Sequence, residues 1–192
     1  MLKELFVSEV RVNILKIMLG NPSKPFHVRA LVRAVDTEIN AVRRELLRLT
    51  TVGLLRNRQS GNRIYYSVNT NSIYFPELLS LIAKEQGLGA DIIKHIRQLG
   101  DIRFAVLSRA FMRGRASSVL DVDLFIVGSV NMEILQKLVK DEESRSGKEI
   151  NYTVMPEDEF TFRKRRNDTF ISKVLAQSRT MLIGDEEEFC GI

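Results

Sequence analysis

The sequence predicts an α+β protein of two domains, residues 1–85 and 86–192. Three observations carry this reading. Apolar residues recur at helical spacing along Ser8 to Leu49. A hairpin with basic strands follows, over Leu54 to Val68. From Ile102 onward, strand-like and helix-like runs alternate, which suits a small mixed sheet with helices packed on it.

Taken in order, Ser8 to Leu19 reads as a first helix, with Val10, Ile14, Leu15 and Met18 on one side and Gly20-Asn21-Pro22 as its stop. Val28 to Val35 is a second, short helix, broken at Asp36-Thr37. In the third, Ile39, Val42, Leu46 and Leu49 line one face, and Asn40, Arg43, Arg44 and Arg48 lie on the other. Asp36 or Thr37 is expected to cap it by accepting from free backbone N–H groups. Gly53 sits where a left-handed residue ends a helix. Leu54-Leu55-Arg56 and Arg63 to Val68 are strands joined by a Ser60-Gly61-Asn62 turn. After a polar break, Phe75 to Ile82 is a short apolar helix with Pro76 at its start. Gln86-Gly87-Leu88-Gly89 marks the expected domain boundary, because paired glycines break regular structure.

Charge is unevenly placed. Residues 1–85 hold 13 Lys/Arg against 7 Asp/Glu, a net +6, whereas residues 86–192 hold 16 against 17, a net −1. The positive excess therefore lies where it could neutralise phosphates. No apolar run reaches transmembrane length, and the N-terminus lacks a signal-peptide pattern. One cysteine, Cys190, cannot form an internal disulfide, and with only two histidines the usual zinc clusters are excluded. A reducing, cytoplasmic setting fits.

The run Arg44-Glu45-Leu46-Leu47-Arg48-Leu49, then Val52-Gly53-Leu54-Leu55, then a basic hairpin ending Arg63-Ile64-Tyr65-Tyr66, resembles the winged helix-turn-helix of ArsR and MarR type regulators. The resemblance implies an N-terminal DNA-binding domain whose third helix enters the major groove. Asn40, Arg43, Arg44 and Arg48 would face DNA from that helix. Asn suits adenine and Arg guanine by paired hydrogen bonds. Arg56, Arg58 and Arg63 of the hairpin would contact the backbone. Such regulators act as two-fold dimers on near-palindromic sites. The spare apolar residues of Phe75 to Ile82 and Ala90 to Leu99 are the expected homodimer surface.

In the second half, Ala90 to Leu99 reads as a helix that includes His95, to which no role is assigned. Ile102 to Leu107, Val122 to Val127 and Ile150 to Met155 are strands. Met132 to Val139, Pro156 to Arg166 and Phe170 to Gln177 are helices. Asp121 and Asp123, two apart on a strand, are expected to leave the same face, an arrangement suited to Mg²⁺ held with nucleotide phosphates. Arg113-Gly114 followed by Asp121-Val122-Asp123 and an apolar strand resembles the minimal nucleotidyltransferases of the DNA polymerase β superfamily. The resemblance implies a C-terminal nucleotidyltransferase-like α/β domain with a small mixed sheet. Asp121 and Asp123 would be its metal ligands and, in an active enzyme, its catalytic acids.

Departures from the pattern shape the functional expectation. The family's Gly-Ser falls on Arg109-Ala110, and its third carboxylate falls on Asn151, with Glu149 nearby. Two-metal phosphoryl transfer normally uses that third acid. The expectation is thus a DNA-binding transcriptional regulator with a degenerate nucleotidyltransferase-like domain serving ligand sensing or dimerisation. It requires no cofactor, though Mg²⁺ and a nucleotide are the ligands the second domain would take. The alternatives are an active nucleotidyltransferase that modifies a protein or nucleic acid, and an antitoxin-like partner of a helical toxin. Arg163-Lys164-Arg165-Arg166 reads as a solvated basic run, Asp185 to Glu188 as an exposed acidic patch, and Cys190 as an unreactive thiol without basic neighbours in sequence.

Overall fold

A computed structural model describes residues 2–115 and 121–191. The chain divides into two compact units, Met1–Gln86 and Gly87–Ile192.

The first unit opens with α1 (Leu2–Leu5) and α2 (Glu9–Leu19). Ser8 caps α2, its hydroxyl accepting from the Arg11 N–H at 3.2 Å. Next come β1 (Phe26–His27), α3 (Val28–Val35), α4 (Ile39–Thr51), β2 (Leu55–Ser60), β3 (Arg63–Val68) and α5 (Phe75–Glu85). The three strands form an antiparallel sheet in the order β1-β3-β2. Ile14 and Met18 of α2, Leu31 of α3, Val42 and Leu46 of α4 and Phe75 of α5 are buried, so each helix spends its apolar face on one core.

One local expectation needs correction. The N-cap of α4 falls on Glu38, not on Asp36 or Thr37. Asp36 instead ends α3 in a left-handed conformation at φ 52°, its N–H donating to the Val32 carbonyl. The turn between the two helices is so short that one residue must reverse the chain, and aspartate tolerates that conformation better than most. Strand β1 is too short to show a period and is held by its pairing to β3. The C-terminus of α4 closes as a Schellman motif. The Gly53 N–H donates to the Thr50 carbonyl at 3.0 Å and the Leu54 N–H to the Leu49 carbonyl at 3.0 Å, with Gly53 at φ 75°.

The second unit runs α6 (Gly87–Lys94), α7 (Ile96–Leu99), β4 (Gly100–Ser108), α8 (Arg109–Met112), β5 (Leu124–Val130), α9 (Met132–Ser146), β6 (Tyr152–Met155), α10 (Glu157–Arg165), α11 (Thr169–Ala176), β7 (Arg179–Ile183) and α12 (Glu186–Cys190). Its sheet has the order β6-β5-β4-β7. β5 and β6 are parallel, so α9 is their crossover, and the other pairs are antiparallel. Alternation along β4 sends Ala105 and Leu107 to one core, shared with Ile92 and Leu135. It sends Phe104 and Val106 to another, shared with Phe160 and Phe189.

Here too the structure corrects the sequence reading. Gly87, at φ 66°, stands where α5 has ended and the two units divide, whereas Gly89 lies buried inside α6 and breaks nothing. The single helix expected over Ala90 to Leu99 is split at His95, which carries non-helical φ and ψ. β7 and α12 were not anticipated. Asp121 and Asp123 both precede β5, and Glu149 and Asn151 both precede β6, so none of them follows strand alternation. The residues expected to be spare for dimerisation are largely spent. Phe75, Leu79 and Ile82 are buried in the first unit, and Ile92 and Leu99 in the second. Ile73, Tyr74 and Leu81 remain exposed beside them.

Candidate functional site

The basic face of the first unit is organised by one buried acid. Glu45 lies on α4 and is only 5% exposed. Its carboxylate accepts from Arg11 Nε at 2.8 Å, Ser8 Oγ at 3.1 Å and Arg48 Nη1 at 3.0 Å. Burial pushes Glu45 upward, but hydrogen bonds from Arg11 and Ser8 and the charges of Arg11 and Arg48 outweigh it, holding the carboxyl below its ordinary value. The only acid within α4 is thereby turned toward α2. Asn40, Arg43 and Arg44 stay exposed on the helix. Arg48 is exposed as well, but its charge is already paired with Glu45.

The hairpin adds a second set of cations. Arg56 pairs in register with Ser67, Arg58 with Tyr65, and Ser60 with Arg63. Directly opposed residues share a face, so Arg56, Arg58 and Arg63 lie on the same side of the sheet. Between hairpin and helices is an open concavity of about 790 Å³, lined among others by Arg29, Arg33, Ile39, Arg43, Arg63 and Tyr66. It unites two of the expected DNA contacts, Arg43 and Arg63. Asn40, Arg44, Arg56 and Arg58 lie outside its lining. It also brings in Arg29 and Arg33, which sequence reasoning passed over although their spacing places them on one side of α3. His27 closes the N-terminus of α3, its Nδ1 accepting from the Ala30 N–H at 3.1 Å, and its ring meets Tyr65 edge-on at 5.9 Å.

In the second unit, Asp123 is 1% exposed. Its Oδ2 accepts from the Asn151 N–H at 3.0 Å. Its own N–H donates to the Asn151 carbonyl at 2.7 Å, and its carbonyl accepts from Ser108 N–H at 2.8 Å. This residue therefore ties the ends of β4, β5 and β6 together. Asp121 is half-buried, and Glu149 is exposed. Ser108 Oγ is engaged in capping α8, accepting from the Phe111 N–H at 3.1 Å. The donor set beside Asp121 is thus one structurally engaged carboxylate and one neutral amide. It does not fit a two-metal centre, which takes carboxylates free to ligate. Among the described residues no group of three His, Cys, Asp or Glu side chains is placed to hold a metal ion.

Cations crowd the same region. Arg109, Arg113 and Arg115 surround the single turn of α8, and Lys148 Nζ donates to the Gly114 carbonyl at 2.6 Å. Burial, followed by the charges of Arg115 and Arg109, holds the Arg113 guanidinium below its ordinary value.

The remaining charged runs are locally engaged. Arg163 pairs with Glu159 at 2.6 Å, Lys164 Nζ donates to the Phe189 carbonyl at 2.7 Å, and Arg166 lies over the Phe162 ring at 4.9 Å. In the acidic patch, Asp185 caps α12, Glu186 pairs with Arg179 and Glu188 with Arg103. Cys190 does have a basic neighbour in space, since Arg179 Nη1 lies 2.9 Å from its Sγ. No helix among the described residues is long and apolar enough to cross a membrane. Neither a protein-family model nor a curated protein matches the chain.

Proposed function

We propose that this chain is a cytoplasmic, homodimeric DNA-binding transcriptional regulator. Its first unit works as a winged helix-turn-helix, and its second as a nucleotidyltransferase-like domain that senses a ligand and transfers no nucleotide. One observation carries the DNA reading. The acid of α4 is turned inward onto Arg11, while Asn40, Arg43 and Arg44 stay exposed on the same helix as a concavity rimmed by Arg29, Arg33 and Arg63. A helix in this position offers base-reading side chains, and the arginines around it neutralise phosphates.

The reading gives the two groups different signatures. Arg44→Ala should cost roughly 1–3 kcal/mol at a selected site and flatten discrimination between sites. Arg63→Ala should weaken selected and random duplexes alike and reduce the salt slope by about one unit. Duplexes recovered by selection from a random pool, titrated over a salt series with both variants, measure this. An Arg44→Ala protein with unchanged affinity and selectivity would show that α4 is not the reader.

The non-catalytic reading of the second unit is supported by Asp123, whose carboxylate is engaged by the Asn151 backbone. Incubation with labelled triphosphates and Mg²⁺ or Mn²⁺ should give no transfer above background. Labelling that disappears on combined Asp121→Ala and Asp123→Ala substitution would establish an enzyme instead.

A further inference from the structure

We propose that Ile39 reads the 5-methyl group of a thymine in the major groove, so that the first unit selects duplexes with a thymine at one position of each half-site. The proposal rests on the DNA reading above and is independent of what the second unit binds.

Helical spacing puts Ile39 on the apolar stripe of α4 with Val42, Leu46 and Leu49. Those three are buried in the core, Val42 and Leu46 completely. Ile39, at the first position of the helix, is only half-buried. It lines the concavity, together with Arg43 one turn further along the same helix. Val28, Ile64 and Tyr66 line it too. Ile64, on the hairpin, is 46% exposed. Between the arginines, this open surface is therefore apolar.

An isoleucine left half in water costs free energy that an apolar partner would recover. The arginines around it, Arg29, Arg33, Arg43 and Arg63, fix the kind of partner, because their charge suits a polyanion. A duplex offers few apolar groups at its base edges. In the major groove the apolar substituent it presents is the thymine 5-methyl, set among hydrogen-bonding groups. Isoleucine can neither donate nor accept a hydrogen bond, so contact with that methyl is its means of telling one base from another. Ile39 also stands beside Asn40, at the end of the helix from which base edges are reached. Ile64 belongs to the hairpin, whose expected contacts are with the backbone, and the minor groove presents no methyl group. The two isoleucines should therefore behave differently, although they line one concavity.

The test uses the full-length chain and duplexes recovered by selection from a random pool. Each thymine of the selected site is replaced in turn by deoxyuridine, which removes the methyl and leaves the hydrogen-bonding groups in place. Affinity should fall about fourfold at one thymine position per half-site, the effect of burying one methyl-sized group. Ile39→Ala should bind the thymine and deoxyuridine duplexes equally. Ile39→Val should keep most of the preference, and Ile64→Ala all of it. Each ratio is taken within one protein, so a reduced folded fraction cancels. A selected duplex in which no thymine-to-deoxyuridine change matters would overturn the proposal and leave the DNA reading standing. A preference that survives Ile39→Ala, or that is lost in Ile64→Ala, would overturn the assignment to Ile39. Recovery of no duplex at all would overturn the DNA reading and this proposal with it.

Discussion

Glu45 and Asp123 are both nearly inaccessible acids inside motifs that sequence reading assigns to function, and the two units use them differently. Glu45 is neutralised by cations. Arg11 and Arg48 hold its charge, so one cation of the exposed face of α4 is already paired and the face is shielded from the helix's own acid. Asp123 is held by peptide dipoles. Its carboxylate receives the Asn151 N–H and fastens β6 to the start of β5. In the first unit a buried acid is turned away from a helix face on which Asn40, Arg43 and Arg44 stay exposed. In the second, a buried acid is drawn into the backbone network that joins the strand ends. An acidic residue in a functional motif is thus defined by its partner, and the partner is set by tertiary contact.

Breaking the Glu45 arrangement should have the largest effect. Glu45→Ala strands Arg11, 28% exposed at its side chain, without its partner, and the first unit should lose about 3 kcal/mol in urea denaturation. The pH dependence sharpens the point. The folded value of Glu45 lies below its ordinary 4.5, so its contribution is present above that pH and is lost as pH falls through the lower folded value. The stability gap between the native chain and Glu45→Gln should therefore shrink below that range. A gap that is constant with pH would mean the carboxylate charge is not what holds α4 to α2.

A smaller effect is expected at Asp123. Asp123→Ala leaves the Asn151 N–H without its acceptor and should cost the second unit about 2 kcal/mol. Asp123→Asn keeps an acceptor oxygen and should recover at least half of that. If Asp123 acted chiefly as a metal ligand, Asn would fail to rescue and the loss would show in metal binding rather than in thermal unfolding.

The smallest effect belongs to Arg48. The sequence places it with Asn40, Arg43 and Arg44, yet its guanidinium is paired to Glu45. Arg48→Ala should change affinity for a selected duplex by under about 0.5 kcal/mol, within the range of exposed ion pairs. A loss equal to that of Arg44→Ala would show that Arg48 leaves Glu45 to contact DNA.

Long, strongly patterned elements were legible along the chain. α2 and α4 show their apolar stripes over three turns, and Gly53 marks the end of α4 by a conformational need that can be read locally. The hairpin was equally plain, because its basic strands flank a glycine turn. Short elements were not. β1 has two residues and exists only by pairing to β3, while β7 is mostly half-buried and has no clean alternation. The exposed reader candidates Asn40, Arg43 and Arg44 followed from helical period alone. Arg29 and Arg33 did not, because what marks them is the concavity they share with Arg63, thirty or more residues away in sequence.

By itself the sequence determined the α+β class, the uneven placement of charge and the helical faces, since each depends on residue spacing within a few turns. Tertiary structure alone decided what the charged residues do. Glu45 meets Arg11 across 34 positions, Asp123 meets Asn151 across 28, and Lys148 meets Gly114 across 34. The energy of a charge depends on its desolvation and its nearest partner, and neither is a property of local order along the chain.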